Sequence, residues 1–258
     1  MGGWIIAVSA GLSGVSYPKT ALYDAKFYDT QSPGSYRSAQ IIVPIVNELL
    51  PVKSICDVGC GVGTWLQAFR DIGIKETLGI DGNYVSPSQL VIPVECFHPR
   101  DLTQRVSLDS RFDLAVSLEV AEHLPPERAA TFVEDLTRLA PVVLFSAAIP
   151  MQGGTDHINE QWPDYWAELF ERRGFKAIDA IRPLIWNDVR VERWYSQNII
   201  IYCLEDHLHN CPQLAKVHSA QPLSIVHPRQ YLDKFNELSV REAYSLLASA
   251  IRRKLSRW

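Results

Sequence analysis

An apolar run closing in Asp57-Val58-Gly59-Cys60-Gly61-Val62-Gly63-Thr64-Trp65 constrains the fold of this chain more than any other feature. Lys53–Val58 reads as a buried strand, and Thr64–Ile72 as a helix with Trp65, Leu66 and Phe69 on one face. Between them, alternate glycines permit a tight turn and let backbone N–H groups approach a ligand at the helix N-terminus. A strand, a glycine turn and a helix in this order belong to an open α/β sheet that binds its ligand at the carboxyl ends of the strands. The turn alone fits several nucleotide-like ligands. Two details narrow the choice. Asp57 closes the strand where it would repel a pyrophosphate, and Thr64 and Leu66 stand where a dinucleotide turn would carry its third glycine.

The remaining sequence supplies such a sheet. Further strands are expected at Thr77–Asp81, Val91–Phe97, Phe112–Leu118, Val142–Ala147, Lys176–Ile181 and Asn198–Cys203, making seven in all. Helical periodicity occupies Ser38–Leu50, Pro125–Ala140 and Glu160–Arg173, the last tolerating Pro163 in its first turn and stopping at Gly174. The alternation predicts a parallel α/β sheet with helices on both faces. Three segments follow from it: 1–37 as an N-terminal lid or edge, 38–203 as the ligand-binding domain, and 204–258 as an extension. That extension ends in a helix from about Val240, with Arg252, Arg253, Lys254 and Arg257 at its close. Cations there complement the helix dipole, and docking to anionic lipid or to a partner is the alternative.

Acidic residues recur at the ends of the expected strands. Gly79-Ile80-Asp81-Gly82 follows Asp57 by 24 residues, and the Asp81 carboxylate can accept both hydroxyls of a ribose. Asp101-Leu102-Thr103 follows the third strand, where a carboxylate can take an adenine amino group and Leu102 offers a backbone N–H and apolar contact. The fourth strand ends in Ser117-Leu118-Glu119, facing the far end of the ligand. Asp57, Gly59, Cys60, Gly61, Gly63, Asp81, Gly82, Asp101, Leu102 and Glu119 are therefore the cofactor-binding candidates, and S-adenosylmethionine (SAM), whose ammonium suits Asp57, is the expected cofactor. The set resembles the class I SAM-dependent methyltransferases, for which DVGCGVG is a specific marker. The resemblance covers about Ser38–Cys203. It implies a Rossmann-like seven-stranded sheet of order 3-2-1-4-5-7-6 with strand 7 antiparallel.

The acceptor edge carries a second pattern. Glu119, Glu122 and His123 fall at i, i+3 and i+4, so one helical turn brings them to one face. After the fifth strand comes Gly153-Gly154-Thr155-Asp156-His157, a pliable loop over the same sheet edge. This ExxEH edge resembles ubiquinone-biosynthesis O-methyltransferases and small-RNA 3′-terminal 2′-O-methyltransferases. The latter resemblance implies Glu119, Glu122, His123 and His157 as ligands of Mg²⁺ or another divalent cation. Coordination would lower the pKa of an acceptor hydroxyl and fix it in line with the sulfonium. A metal-free site is the alternative, with His157 or His123 as general base and Glu122 ordering the loop; so is a structural role for all of them.

The aromatic-rich stretch Ile181–Gln197, with Trp186, Trp194 and Tyr195 among charged residues, suits a sugar or a flat ring. The segments FSAAIP, HINEQWPDYW and WYSQN resemble methyltransferases of bacterial glycan and secondary-metabolite pathways. A net charge of −4 and few cations near the site weigh against a nucleic-acid acceptor. The expected activity is O-methylation of a hydroxyl on a sugar or other small metabolite. Transfer to nitrogen or carbon, and a non-catalytic SAM-binding module, are the alternatives. Five scattered cysteines without a CxxC pair read as reduced thiols. The mildly apolar MGGWIIAVSAGLSGVS has no cation ahead of it, the first being Lys19, and no window is long enough for a membrane span. A cytoplasmic protein is expected.

Overall fold

The computed structural model describes residues 25–217, 223–236 and 240–255. The leader-like N-terminal run and Arg257 lie outside the described residues. The elements in chain order are α1 (Ala25–Leu49), β1 (Ser54–Val58), α2 (Thr64–Asp71), β2 (Glu76–Asp81), β3 (Phe97–Pro99), β4 (Leu114–Leu118), α3 (Ala129–Leu139) and β5 (Val142–Ser146). They continue with α4 (Pro163–Glu171), β6 (Phe175–Ile178), α5 (Arg182–Ile185), α6 (Arg193–Asn198), β7 (Ile200–Leu204), α7 (Pro228–Asn236) and α8 (Val240–Leu255).

All seven strands form one sheet of order β3-β2-β1-β4-β5-β7-β6. β7 runs antiparallel to both β5 and β6, and the other pairings are parallel. Both faces are covered, which is why β1, β4 and β5 are buried at every position and read as continuous apolar runs. On one face α1 and α2 pack together, Ile42 and Val46 of α1 joining Leu66 and Phe69 of α2 in a single core. Full burial of a side chain such as Phe69 contributes about 1.5–3 kcal/mol. On the other face Phe132 and Leu136 of α3 and Trp166 and Phe170 of α4 build the second core, with the Phe170 ring stacked on Tyr202 of β7.

Two elements differ from expectation. The third strand is not Val91–Phe97 but Phe97–Pro99, preceded by 3-10 turns at Pro87–Gln89 and Val94–Cys96. Pro93 has no N–H to give a ladder, and it ends the apolar run as a strand. The first helix begins at Ala25, well before Ser38, with Pro33 and Pro44 inside it.

The stretch after β6 is an organised wall. Arg182, almost fully buried, makes a two-pronged ion pair with Asp179 (2.9 and 2.7 Å) and donates through Nη1 to the carbonyls of Gln197 (3.0 Å) and Leu223 (2.8 Å). Buried Gln197 in turn accepts the backbone N–H of His227 (2.6 Å), and the His227 ring lies 4.5 Å from Trp186. These bonds bring residues from Leu223 onward back across the chain onto α5 and α6.

Candidate functional site

A cavity of about 540 Å³ opens at the carboxyl ends of β1 and β4. Its floor is Asp57 at the end of β1 and the turn that follows, Gly59, Cys60, Gly61 and Val62, with Thr64 and Trp65 of α2 beyond. Gly59 has φ +89°, and a Cβ there would run into Val120, so glycine is dictated both by conformation and by space. The N–H groups of Gly59 (2.7 Å) and Cys60 (3.2 Å) are tied to the carbonyl of Ile80, which fixes the turn against β2. Ser35 of α1 roofs this end, its hydroxyl 3.0 Å from Thr64 Oγ1 and 3.3 Å from the Tyr195 hydroxyl. Trp65 Nε1 donates to the same Tyr195 oxygen (3.3 Å). Burial pushes the Tyr195 phenol up to about 12, so it stays a neutral hydroxyl.

Of the cofactor candidates, Asp57, Gly59, Cys60, Gly61 and Glu119 line the cavity; Gly63, Asp81, Gly82, Asp101 and Leu102 lie outside its wall. Asp81 acts on the wall from behind. Its buried carboxylate accepts the N–H of Gly61 (2.7 Å), the N–H of Gly82 (2.6 Å) and the Tyr84 hydroxyl. Burial, and then the charge of Asp81, holds the Asp57 carboxyl well above the usual carboxylate range, an environment that favours a cationic ligand. Asp101 closes a turn on Thr103, accepting from its N–H (2.9 Å) and its hydroxyl (2.7 Å). Leu102 is buried, and its carbonyl accepts from Nε of buried Arg128 (3.1 Å), which also pairs with Asp135.

At the other end, the 3-10 turn Ala121–His123 meets the loop after β5. Glu122, His123 and His157 each offer a ligand atom, and these lie within 4.8 Å of one another. Glu122 is fully buried; its Oε1 accepts the N–H of Ala148 (3.2 Å), while Oε2 has no hydrogen-bond partner among the described residues. Burial, and then the neighbouring Glu119 charge, raises its pKa well above the usual range. His157 donates from Nδ1 to Glu160 (3.0 Å), and the two imidazoles stand edge to face at 4.8 Å. A Cβ on Gly154, at φ +150°, would strike the His157 ring, so the pliable loop is also a closely fitted one. A buried carboxylate oxygen without a partner, beside two imidazoles, fits a divalent cation.

Glu119 stands slightly apart. Its carboxylate is taken by Asn198 Nδ2 (3.1 Å) and Gln152 Nε2 (3.0 Å), and it is not among the three converging groups. Among the described residues, the non-glycine positions with positive φ are Glu119, Met151 and Asp156, all in loops around this cavity. Each such position costs on the order of 1–3 kcal/mol, which the surrounding hydrogen bonds hold in place.

Several residues in or behind the wall had no sequence signal of their own. Glu160 accepts from the N–H groups of Met151 (2.7 Å) and Gly153 (2.9 Å) as well as from His157, and so pins the whole loop. Gln152, Gln230 and Asp233 line the cavity and Asn198 stands behind it, drawn from three separate segments: the loop after β5, α7 and α6. Gln230 of α7 donates to the Gln152 carbonyl (3.2 Å) and accepts from Arg193 Nε (3.1 Å), which also pairs with Asp233 (3.2 Å).

The sheet order, with one antiparallel strand and a cavity at the carboxyl ends of β1 and β4, defines a class I methyltransferase fold. The family model described as a methyltransferase domain matches residues 33–180, more than half of the chain. The chain belongs to that family. Among curated proteins it is 31% identical over 135 residues to a probable chloroplastic tocopherol O-methyltransferase of Oryza sativa subsp. japonica, covering 44% of this chain and 36% of that one. It is 30% identical over 97 residues to the chloroplastic tocopherol O-methyltransferase of Arabidopsis thaliana, covering 34% and 27%. The matches thus span about a third of one relative's length and about a quarter of the other's. Among solved structures, DesVI of Streptomyces venezuelae shares the fold at a TM-score of 0.51 and 14% identity, over 69% of this chain and 97% of that chain. Among the described residues no helix is long and apolar enough to cross a membrane.

Proposed function

We propose that the chain transfers the methyl group of SAM to a hydroxyl oxygen of a sugar or other small metabolite. The observation that carries this reading is the convergence of Glu122, His123 and His157 at the end of β4, inside the cavity whose other end is the glycine turn. The O-methyltransferase names of the two plant relatives support an oxygen acceptor. Asp57 faces the donor's ammonium, and Arg193, Trp194, Gln230 and Asp233 form the acceptor wall; Asp81, which holds Gly61 and Tyr84 from behind that wall, would accept the ribose hydroxyls once Tyr84 gives up its bond.

Glu122, His123 and His157 would hold a divalent cation of the Mg²⁺ or Mn²⁺ kind. When bound, such an ion lowers the pKa of the acceptor hydroxyl and fixes its orientation. A second reading rests on the His157–Glu160 pair. With its Nδ1–H given to Glu160, His157 keeps the Nε2 lone pair for the hydroxyl proton, and Glu160 stabilises the imidazolium that results. Conversion of SAM to S-adenosylhomocysteine (SAH), followed against a panel of hydroxylated acceptors, tests the activity. Chelation decides between the readings. Activity abolished by exhaustive EDTA treatment and restored by Mg²⁺ or Mn²⁺ supports the cation, with Glu122→Gln and His157→Ala failing alike. Full activity in EDTA, with His157→Ala down ~10²–10⁴-fold, supports the base. No methyl transfer to any hydroxylated acceptor would refute the proposed reaction.

A further inference from the structure

Helix α8 leaves one apolar face exposed. Val240, Tyr244, Leu247 and Ile251 recur at i, i+4, i+7 and i+11, which at 3.6 residues per turn confines them to an arc of about 60°. They are 89, 73, 58 and 50% exposed, so the body of the protein does not cover this stripe. The charge along the same segment is equally lopsided. Residues 240–258 hold five cations (Arg241, Arg252, Arg253, Lys254 and Arg257) against the single anion Glu242. The segment therefore carries +4 in a chain of net charge −4, and the remainder of the chain carries −8.

We infer that α8 is an interfacial helix that docks the protein on an anionic lipid surface, lying in the headgroup layer and not spanning the bilayer. An amphipathic helix with an apolar stripe and clustered Lys and Arg binds in this way, its apolar side chains entering the acyl boundary while the cations meet anionic headgroups. Tyr244 supplies the aromatic group favoured at that depth. Arg252 and Lys254 are exposed just past the apolar stripe, where long stems reach the headgroups. A second copy of the chain fits this face less well, because pairing two such helices offers one Glu242 per helix against four cations. The negative body is repelled by the same surface, so α8 alone draws the protein down and fixes its orientation. None of the stripe lines the cavity, and the inference stands apart from the identity of the acceptor.

Co-sedimentation of the full chain with phosphatidylcholine vesicles, with and without about a third phosphatidylserine, tests it. The protein is expected to bind the anionic vesicles alone and to release as salt is raised. Arg252→Gln with Lys254→Gln should weaken partitioning about 30-fold, at ~1 kcal/mol per cation. Leu247→Glu with Ile251→Glu should abolish it while leaving SAH affinity unchanged, which shows that the fold is intact. Absence of binding to anionic vesicles at low salt would overturn the inference. So would sedimentation showing a dimer that Leu247→Glu dissolves, since a second copy would then cover the face.

Discussion

Replacing Asp81 by Asn removes one charge and almost no volume, and the structure lets both consequences be sized. The carboxylate accepts the N–H groups of Gly61 and Gly82 and the Tyr84 hydroxyl from a nearly fully buried position. Asn keeps one acceptor oxygen and presents an amide donor to the other N–H, so one buried backbone N–H loses its partner. That costs roughly 1–3 kcal/mol of stability. For a chain of this size the corresponding fall in Tm is about 2–10 °C. The donor's ribose hydroxyls lose a charged acceptor as well, which weakens SAM and SAH binding by about 2–3 kcal/mol, or ~30–150-fold. Isothermal calorimetry with SAH, beside thermal unfolding of the free protein, reads the two effects separately. Unchanged SAH affinity in a folded variant would remove Asp81 from the donor site. Unchanged Tm would remove it from the support of the glycine turn.

Other consequences are as direct. Because burial and Asp81 hold the Asp57 carboxyl well above the range of an unfolded chain, the stability its protonated form contributes is full below pH ~4 and is lost as pH rises through the raised value. The cationic donor favours the anion, so SAM binding should release a proton that Asp57→Asn does not; calorimetry in buffers of different ionisation enthalpy counts it, and equal counts would refute the assignment. Arg182→Ala strands the buried Asp179 charge and should cost about 3–5 kcal/mol in urea unfolding. A loss under ~1 kcal/mol would show that the Arg182 bonds do not hold the wall together.

The glycine turn that floors the cavity was legible in the sequence because it is local. Gly59 through Gly63 is one continuous turn, and Asp57, Asp81 and Glu119 stand at the ends of strands whose apolar runs announce them. The strand order, by contrast, came from family resemblance, since periodicity does not say which strands are neighbours. Val91–Phe97 misled because an apolar run interrupted by Pro93 resembles a strand in composition while lacking a ladder donor. Pro33 and Gly34 resemble a breaker, yet the helix runs through them from Ala25. The acceptor wall was illegible for a different reason. Gln152, Gln230 and Asp233 are polar residues without a repeating pattern, and the last two reach the cavity through the bonds of Arg182 and Gln197 to residues 223–227 and through their own bonds to Arg193 and Gln152. That Glu119 turns to Asn198 and Gln152, leaving three converging ligands where four were expected, depends equally on this long-range closure.

The return of residues 223–233 onto the cavity also sets an order in time. Every residue proposed to face the donor has been synthesised by His123, whereas the acceptor wall waits for Asp233, about 110 residues later. At ~5–20 residues per second the interval is on the order of 5–20 s, long compared with the folding of a small domain. A product cut short before Leu223 would keep the donor-facing residues and lose Gln230 and Asp233 from the acceptor wall.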